Sequence, residues 1–410
     1  MNCRFSSRKL YWEDMMIGGR PEVEEGRQKM SELRKPDEFY MRRALELAEK
    51  GRGWVSPNPV VGAVIVRDDG TVIAEGYHER YGDLHAERNA LRHCAEPPAG
   101  ATMYVTLEPC CHHGRQPPCT DAILEAGIRR VVIGSGDPNP QVCGKGIRIL
   151  KSHGVEITEG VLREECDKIN EIFFHYIRTG TPYVVMKYAM TLDGKIAAFT
   201  GRSKWITGEE ARGHVQKLRH DLSGIMVGLG TVLADDPMLT CRLPDSKNPV
   251  RIICDTNLRT PLDCNIVRTA EQVPTIFATC TDDEDKIARF EDKGCRILKV
   301  KRTDGHPDLP ELMRKLGEEK IDSILLEGGG TLNWSALSSG IVNRVAAYIS
   351  PKIFGGADAK SPVEGRGVMD PRLAFMLEGT EISKLGSDYL IQGRIRKGSA
   401  GRRMNGDVLC

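Results

Sequence analysis

The sequence predicts an α/β protein built as two domains in series, and three observations carry that expectation. A chain of 410 residues has length for two or three domains, each with a core of its own. Between Asp37 and Arg178, helical periods alternate with β-rich runs, and metal-ligating residue types gather where they meet. From Val184 onward, short β-rich runs are separated by helical or turn segments, again the pattern of an α/β domain.

Residues 1–35 are polar and charged, with Gly18-Gly19 and no sustained period, and are expected to be a disordered N-terminal extension. From Asp37, the residues Phe39, Met41, Ala44, Leu45 and Ala48 recur on one helical face until Gly51 ends it. Val60 to Val66 and Thr71 to Glu75 flank Asp68-Asp69-Gly70 and read as a hairpin. A helix opens at His85 and Glu87 and runs to about Cys94. Ala101 to Leu107 reads as a strand ending at Glu108-Pro109-Cys110, Cys119 to Glu125 as a helix stopped by Gly127, and Arg130 to Gly134 as a strand. The second half offers β-rich runs at Val184–Tyr188, Gly224–Val227, Val250–Cys254, Thr275–Ala278, Ile297–Val300, Ser323–Leu326 and Ala346–Ile349. The domains are accordingly expected at 36–179 and 180–398, with a tail at 399–410.

Charge and composition exclude several classes of partner. Lys and Arg total 58 against 57 Asp and Glu, a balance that argues against duplex nucleic acid or an anionic membrane surface. No apolar run is long enough to span a bilayer. Met1 to Gly19 mixes Arg and Lys with Trp12-Glu13-Asp14 and has no apolar centre, so it does not read as a secretory signal, and a cytoplasmic location is expected. Thirteen cysteines, odd in number and irregular in spacing, read as buried thiols or metal ligands rather than disulfides; Cys94, Cys143, Cys166, Cys254 and Cys295 are expected to be plain buried thiols.

The chemistry concentrates in His85-Ala86-Glu87, followed by Pro109-Cys110 and, after eight residues, Cys119. One imidazole and two thiolates suit Zn²⁺ with three protein ligands and a fourth position for water. The order matches the H-x-E…P-C-x-x-C arrangement of zinc deaminases, in which the Glu moves protons and does not ligate. Glu87 is then placed to take a proton from the activated water and pass it to departing ammonia. The wider cysteine spacing implies an inserted loop, Cys111 to Pro118, suited to a substrate wall. Cys111 competes with Cys110 for the ligand role, and Cys110 is preferred because it follows Glu108-Pro109. His112 and His113 read as substrate contacts or neighbours of the ligands, because a fourth protein ligand would close the metal and make it structural. A purely structural zinc leaves Glu87 without a task. Both helix starts that carry ligands also favour thiolates, through their partial positive charge.

In the second half, Glu327-Gly328-Gly329-Gly330-Thr331-Leu332-Asn333 follows a strand and leads into a helix, where bare backbone N–H groups can hold a phosphate. A glycine cluster there serves equally well as a tight turn, and Gly228-Leu229-Gly230 is no more specific.

Several segments together resemble the deaminase half of the bifunctional RibD family of riboflavin biosynthesis: Ser56-Pro57-Asn58-Pro59-Val60-Val61-Gly62-Ala63, Gly76-Tyr77-His78, His85-Ala86-Glu87, Thr106-Leu107-Glu108-Pro109-Cys110 and Pro117-Pro118-Cys119. The resemblance continues through Leu192-Asp193-Gly194-Lys195, Ser203-Lys204-Trp205-Ile206-Thr207, Leu239-Thr240-Cys241-Arg242 and Glu327-Gly328-Gly329-Gly330, covering roughly residues 36 to 397 in one register. It implies a cytidine-deaminase-like domain followed by a dihydrofolate-reductase-like domain. The activity implied is deamination of a diaminopyrimidinone ribosyl phosphate, then reduction of its ribosyl chain by NADPH. It also implies self-association.

Carried over residue by residue, the zinc site falls on His85, Cys110 and Cys119 with Glu87 as proton shuttle, and deaminase substrate positions on Asn58, His78 and Arg115. Cofactor positions fall on Ala189, Trp205, Thr231, Asp235 and the run Gly329, Gly330, Thr331, Leu332, Asn333, Trp334, Ser335. Reductase substrate positions fall on Ser203, Arg219, Leu239, Arg242 and Glu327, with Lys187 near the sugar. Arg219 and Arg242 are expected to act as a paired phosphate clamp. The loop reads Arg115-Gln116-Pro117 where the family more often has Lys-Thr-Pro, which leaves the contacts of Gln116 open.

Two other classes fit part of the sequence. A nucleic-acid or nucleoside deaminase fused to an unrelated domain needs a basic groove that the charge balance does not support. A metal-stabilised regulatory protein binding a pyrimidine or flavin-related ligand explains neither Glu87 nor a second nucleotide site.

Overall fold

The period beginning at Asp37 forms helix α1 (Asp37–Glu49) in a computed structural model that describes residues 35–396 and Gly398. Apart from Lys35, the expected N-terminal extension lies outside the described residues, as does the tail at 399–410. The buried stripe of α1 is Tyr40, Met41, Ala44, Leu47 and Ala48, so the face is centred one position away from the expected one. Phe39 is 52% exposed and rests edge-on against Tyr40, which takes the inward place by packing on Tyr104.

Strands β1 (Gly62–Val66) and β2 (Val72–Tyr77) make the expected antiparallel hairpin. With β3 (Thr102–Leu107), β4 (Arg130–Ser135) and β5 (Glu156–Glu159) they form a five-stranded sheet of order β2-β1-β3-β4-β5. Helices α2 (Ala86–Arg92), α3 (Cys119–Glu125), α4 (Lys145–Ser152), α5 (Arg163–Ile169) and α6 (Glu171–Thr179) lie between and after these strands. Every residue of β1 and β3 is buried, as a sheet covered on both faces requires. Ala63, Ile65, Met103 and Val105 meet Ala86, Ala90 and Ile123 on one face, while Val64, Val66 and Tyr104 meet α1 on the other. The approach of α2 is close enough that a Cβ on Gly76 would stand 2.3 Å from the Ala90 amide nitrogen.

The second unit starts at β6 (Tyr183–Thr191) and continues with α7 (Glu209–Asp221), β7 (Gly224–Gly228), α8 (Leu229–Asp235) and β8 (Val250–Cys254). Next come α9 (Asn265–Arg268), β9 (Thr275–Thr279), α10 (Glu284–Glu291), β10 (Arg296–Lys299), and a small ribbon of β11 (Arg302–Thr303) and β12 (His306–Pro307). The described chain closes with α11 (Leu309–Glu318), β13 (Ser323–Leu326), α12 (Gly330–Ser338), β14 (Val342–Ser350), β15 (Leu377–Leu385) and β16 (Asp388–Ile395). The nine-stranded sheet has the order β10-β9-β8-β7-β13-β6-β14-β16-β15, parallel from β10 through β14. One face, with Val185, Ile225, Val227 and Tyr348, packs on Ala211 and Val215 of α7; the other, with Val184, Met186 and Leu326, packs on α11 and α12.

The hairpin β15–β16 is absent from the expected strands. Leu377 to Leu385 reads LEGTEISKL and is exposed along most of its length, so no apolar alternation announces it. Among the expected buried thiols, Cys143 is exposed and Cys94 half-buried, while Cys166, Cys254 and Cys295 are buried. The two units touch through Arg344 and Glu171 at 2.6 Å, and through Gly53, whose added Cβ would stand 2.6 Å from Nε2 of His220. No helix among the described residues is long and apolar enough to cross a membrane.

Candidate active sites

The first site is built where three loops leave the five-stranded sheet. His85 is the N-cap residue of α2, Glu87 lies in that helix's first turn, Cys110 follows β3, and Cys119 is the first residue of α3. His85 Nδ1 stands 3.4 Å from the Sγ of Cys110 and 3.4 Å from that of Cys119. A tetrahedral zinc with nitrogen and sulfur ligands has an N···S edge of about 3.6 Å, so these donors are spaced to hold one. The two thiols share one hydrogen bond and shift in opposite directions. Hydrogen bonds from Cys119 and His85 draw the Cys110 thiol well below its ordinary pKa, and Cys119 is correspondingly pushed up. The hydrogen bond to Cys110 raises His85. Cys111 is turned away, its Sγ 3.7 Å from the Gln141 carbonyl, and neither it nor His112 nor His113 joins the cluster.

Glu87 is 4% exposed, and burial pushes its carboxyl pKa up, assisted by the charge on Cys110. A carboxyl so raised holds a proton more readily than an exposed one, as a group that takes up and returns a proton must. Behind the ligands, Glu108 accepts backbone N–H bonds from Gly144 at 2.9 Å and Ile147 at 3.3 Å, so the residue before Pro109-Cys110 ties that turn to the start of α4. Sequence spacing did not single out Glu108, because its partners lie 36 and 39 residues away.

On the open side, His78 Nδ1 faces the Leu84 carbonyl at 3.0 Å, so that nitrogen donates and Nε2 is left to accept from the Asn58 amide at 3.1 Å. Asn58 is thereby oriented with its carbonyl oxygen free. Arg115 lies on the Tyr81 ring at 4.6 Å, a partner the sequence did not suggest. Gln116 donates to the Gly82 carbonyl at 3.2 Å and lines a polar cavity with Leu84, Asn89 and Arg92, which gives the departure at this position a structural task.

The second site lies at the carboxyl ends of β6, β7 and β13, the usual crevice of a parallel sheet. Glu327, just after β13, is held by a bidentate pair with Arg219 of α7 at 3.0 and 2.9 Å, and Lys187 Nζ of β6 stands 3.7 Å from Glu327 Oε2. Burial pushes the Glu327 carboxyl up, but the charges of Lys187 and Arg219 more than offset it and hold the pKa at about 2, below the ordinary 4.5. The stabilisation from this depressed pKa is complete above about pH 4.5 and is lost as pH falls toward 2. Its full size is on the order of 3 kcal/mol. Denaturant midpoints of the second unit are therefore expected to drop below about pH 4.5, and Glu327→Gln should remove that share of the pH dependence; an unchanged slope in the variant would contradict the assignment.

This geometry alters the expected clamp. Arg219 gives its other nitrogen to the Thr240 carbonyl at 3.0 Å and is committed to Glu327, whereas Arg242 is exposed. The two guanidiniums are not a free pair, because the buried carboxylate recruits one of them. Leu239 is 3% exposed and belongs to the core, so its side chain packs beneath the site. Ser203 donates to Asp235 at 3.3 Å, and Trp205, 64% exposed, carries the Arg212 guanidinium at 4.6 Å.

The glycine run divides in two. The N-terminus of α12 has no side-chain cap, and a Cβ on Gly329 would meet only Thr231 Oγ1 at 3.8 Å, so bare amides face open space fit for a phosphate. Gly330 is instead a close-packing position, where a Cβ would stand 2.5 Å from Glu364. Further along, Asn333 is buried and donates to the Pro362 carbonyl, Trp334 packs on Phe375, and the Ser335 hydroxyl returns to the Thr331 carbonyl.

Comparison with known proteins places both sites in one context. Residues 34–135 match the cytidine and deoxycytidylate deaminase zinc-binding region, and residues 182–391 match the RibD C-terminal domain. The chain is 57% identical over 354 residues to the riboflavin biosynthesis protein RibD of Actinobacillus pleuropneumoniae, covering 86% of this chain and 93% of that one. It is 41% identical over 369 residues to that of Escherichia coli (strain K12), covering 87% and 98%. Among solved structures, the diaminohydroxyphosphoribosylaminopyrimidine deaminase/5-amino-6-(5-phosphoribosylamino)uracil reductase of Thermotoga maritima shares 40% identity with a TM-score of 0.75, covering 88% of this chain and 99% of that one. Acinetobacter baumannii RibD shares 36% identity with a TM-score of 0.78 over the same fractions.

Proposed function

The chain belongs to the RibD family of riboflavin-biosynthesis proteins, and from that premise we propose how its residues divide two consecutive reactions. It is a bifunctional enzyme. The first reaction hydrolytically deaminates 2,5-diamino-6-(5-phosphoribosylamino)pyrimidin-4(3H)-one to 5-amino-6-(5-phosphoribosylamino)uracil. The second reduces the ribosyl chain of that uracil to ribityl. Residues 36–179 form the deaminase domain and 180–398 the reductase domain.

Zinc supplies an activated water to the first site, and NADPH supplies hydride to the second. His85, Cys110 and Cys119 hold the metal, supported by donor spacing that fits a zinc tetrahedron. Glu87 takes the proton of the attacking water and delivers it to the amino group as it departs. Asn58, fixed by His78, reads the pyrimidine edge, and Arg115 meets the phosphate from the loop that caps the site. In the second site, Gly329, Thr231 and the start of α12 hold the cofactor phosphate. The anionic Glu327 with Lys187 and Arg219 borders the sugar, and Arg242 serves the substrate phosphate alone.

The observation that carries this reading is the convergence of His85 with two thiols beside a buried Glu87, in a chain whose other half aligns three charged groups at parallel strand ends. Chelation of the full-length protein tests it. Ammonia release should stop while NADPH oxidation by the deaminated pyrimidine continues. Loss of both signals in a chelated but folded protein would show that the metal serves more than the first site.

Self-association and a cytoplasmic location belong to the same proposal. The edge strand β15, with Ile382 69% exposed, supports the former, because an unpaired edge offers its backbone to a second copy. The thiol ligands support the latter, since they need a reducing compartment to stay unpaired.

A further inference from the structure

Helix α7 reaches the reductase site twice. Arg219 binds Glu327, and one and a half turns earlier His214 Nδ1 stands 2.6 Å from the hydroxyl of Tyr348 on β14. Tyr348 is wholly buried, and His214 is half-buried. In the sheet register Ala346 pairs with Lys187 and Tyr348 with Ala189, so Tyr348 and Lys187 are diagonal neighbours on one face. The Lys187 ammonium lies 6.0 Å from the centre of the Tyr348 ring and 3.7 Å from Glu327 Oε2. The lysine is thus bordered by a carboxylate and an aromatic face, and the histidine fixes the phenol that carries that face.

The protonation states agree with this arrangement. Burial raises the Tyr348 phenol, with a further push from Glu327, so it keeps its proton. Burial lowers His214, with Lys217 acting in the same direction, so the imidazole is neutral and free to accept at Nδ1. A buried phenol whose hydroxyl lost that acceptor would carry an unmet donor and would have reason to shift. Neither residue entered the site through the sequence pattern or the family resemblance, because His214 lies on an ordinary amphipathic helix 134 residues from its partner.

We propose that His214 is a positioning residue for the reductase: by holding the Tyr348 phenol it sets the Lys187 ammonium against Glu327, at the place where the deaminated pyrimidine ribosyl phosphate is received. This rests on the assignment of the second site to that substrate. The uncapped start of α12 and Thr231, assigned to the cofactor phosphate, lie on other elements, whereas the cofactor position Ala189 is the register partner of Tyr348, so the effect on the pyrimidine is read at saturating NADPH.

The test uses the full-length zinc-loaded protein and three substitutions. His214→Leu removes the acceptor, His214→Asn keeps an acceptor oxygen near the position of Nδ1, and Tyr348→Phe keeps the ring but deletes the hydroxyl. In His214→Leu, kcat/KM for the deaminated pyrimidine should fall about fivefold to tenfold, the size of one lost hydrogen bond. The rate of ammonia release should stay near wild type. His214→Asn should recover most of the loss, and Tyr348→Phe should resemble His214→Leu. If His214→Leu does not fold, Tyr348→Phe decides alone: a folded protein with wild-type kcat/KM overturns the proposal. Equal impairment of the Leu and Asn variants would reduce His214 to packing and would also overturn it, as would an indifferent His214→Leu. A wild-type chain that oxidises no NADPH with the deaminated pyrimidine would instead sink the underlying reductase assignment, and this inference with it.

Discussion

Replacing Glu87 by Gln should lower ammonia release by about 10²–10⁴-fold while leaving zinc bound and NADPH oxidation intact. The amide has nearly the same size as the carboxyl, so the buried site should keep its packing. It lacks the proton affinity that burial confers on Glu87. The ligands His85, Cys110 and Cys119 are untouched, so metal content measured on the purified variant should remain one zinc for each chain. The decisive comparison is between two assays on one sample, ammonia release from the diaminopyrimidine and NADPH oxidation by its deaminated product. A variant that keeps its zinc and still releases ammonia at the wild-type rate would remove Glu87 from the mechanism.

The largest effect on stability is expected from Glu327→Leu. This substitution leaves Arg219 and Lys187 in a poorly hydrated site without their shared counter-charge, their side chains only 12% and 15% exposed. Breaking a buried ion pair by removing one partner costs about 3–5 kcal/mol, because the remaining charge stays desolvated and unpaired. Thermal unfolding should show the reductase domain melting at lower temperature, with NADPH oxidation lost and ammonia release preserved below that transition. Adding Arg219→Met to Glu327→Leu should restore part of the stability, since one stranded cation is then removed, but not the activity. If Glu327→Leu melts like wild type, the triad is not the buried charge centre described here.

What could be read from the residues and what could not follow from the range of the interactions. The cluster of His85, Cys110 and Cys119 beside Glu87 is legible because a metal site demands particular residue types at the ends of neighbouring elements. The strands of both sheets are largely legible from β-branched runs, down to the hairpin around Gly70. Phe39 and Tyr40 were exchangeable by periodicity alone, and only the presence of Tyr104 across the sheet decides between them. Arg219 looked like a phosphate ligand until Glu327, 108 residues away, proved to hold it. Glu108 and Tyr348 escaped for the same reason, since their partners are set by tertiary packing and leave no local pattern. The hairpin β15–β16 escaped because most of its first strand faces outward and is free to be polar.

The placement of that hairpin bears on how the protein is made. The first sheet draws all its strands from residues 62–159 and contains mostly near neighbours, so it can assemble while the rest of the chain is still being synthesised. The second sheet cannot. Its strand β14 pairs through Arg344 to Ile349 with β16, and Asp388 at the start of β16 accepts the Gly208 backbone N–H at 2.6 Å, anchoring the segment that leads into α7. Until residues 388–395 have left the ribosome, β14 has an open edge and α7 an untethered entrance, although α7 is the helix that carries Arg219 and His214. The strands that complete the first sheet therefore emerge before those that complete the second.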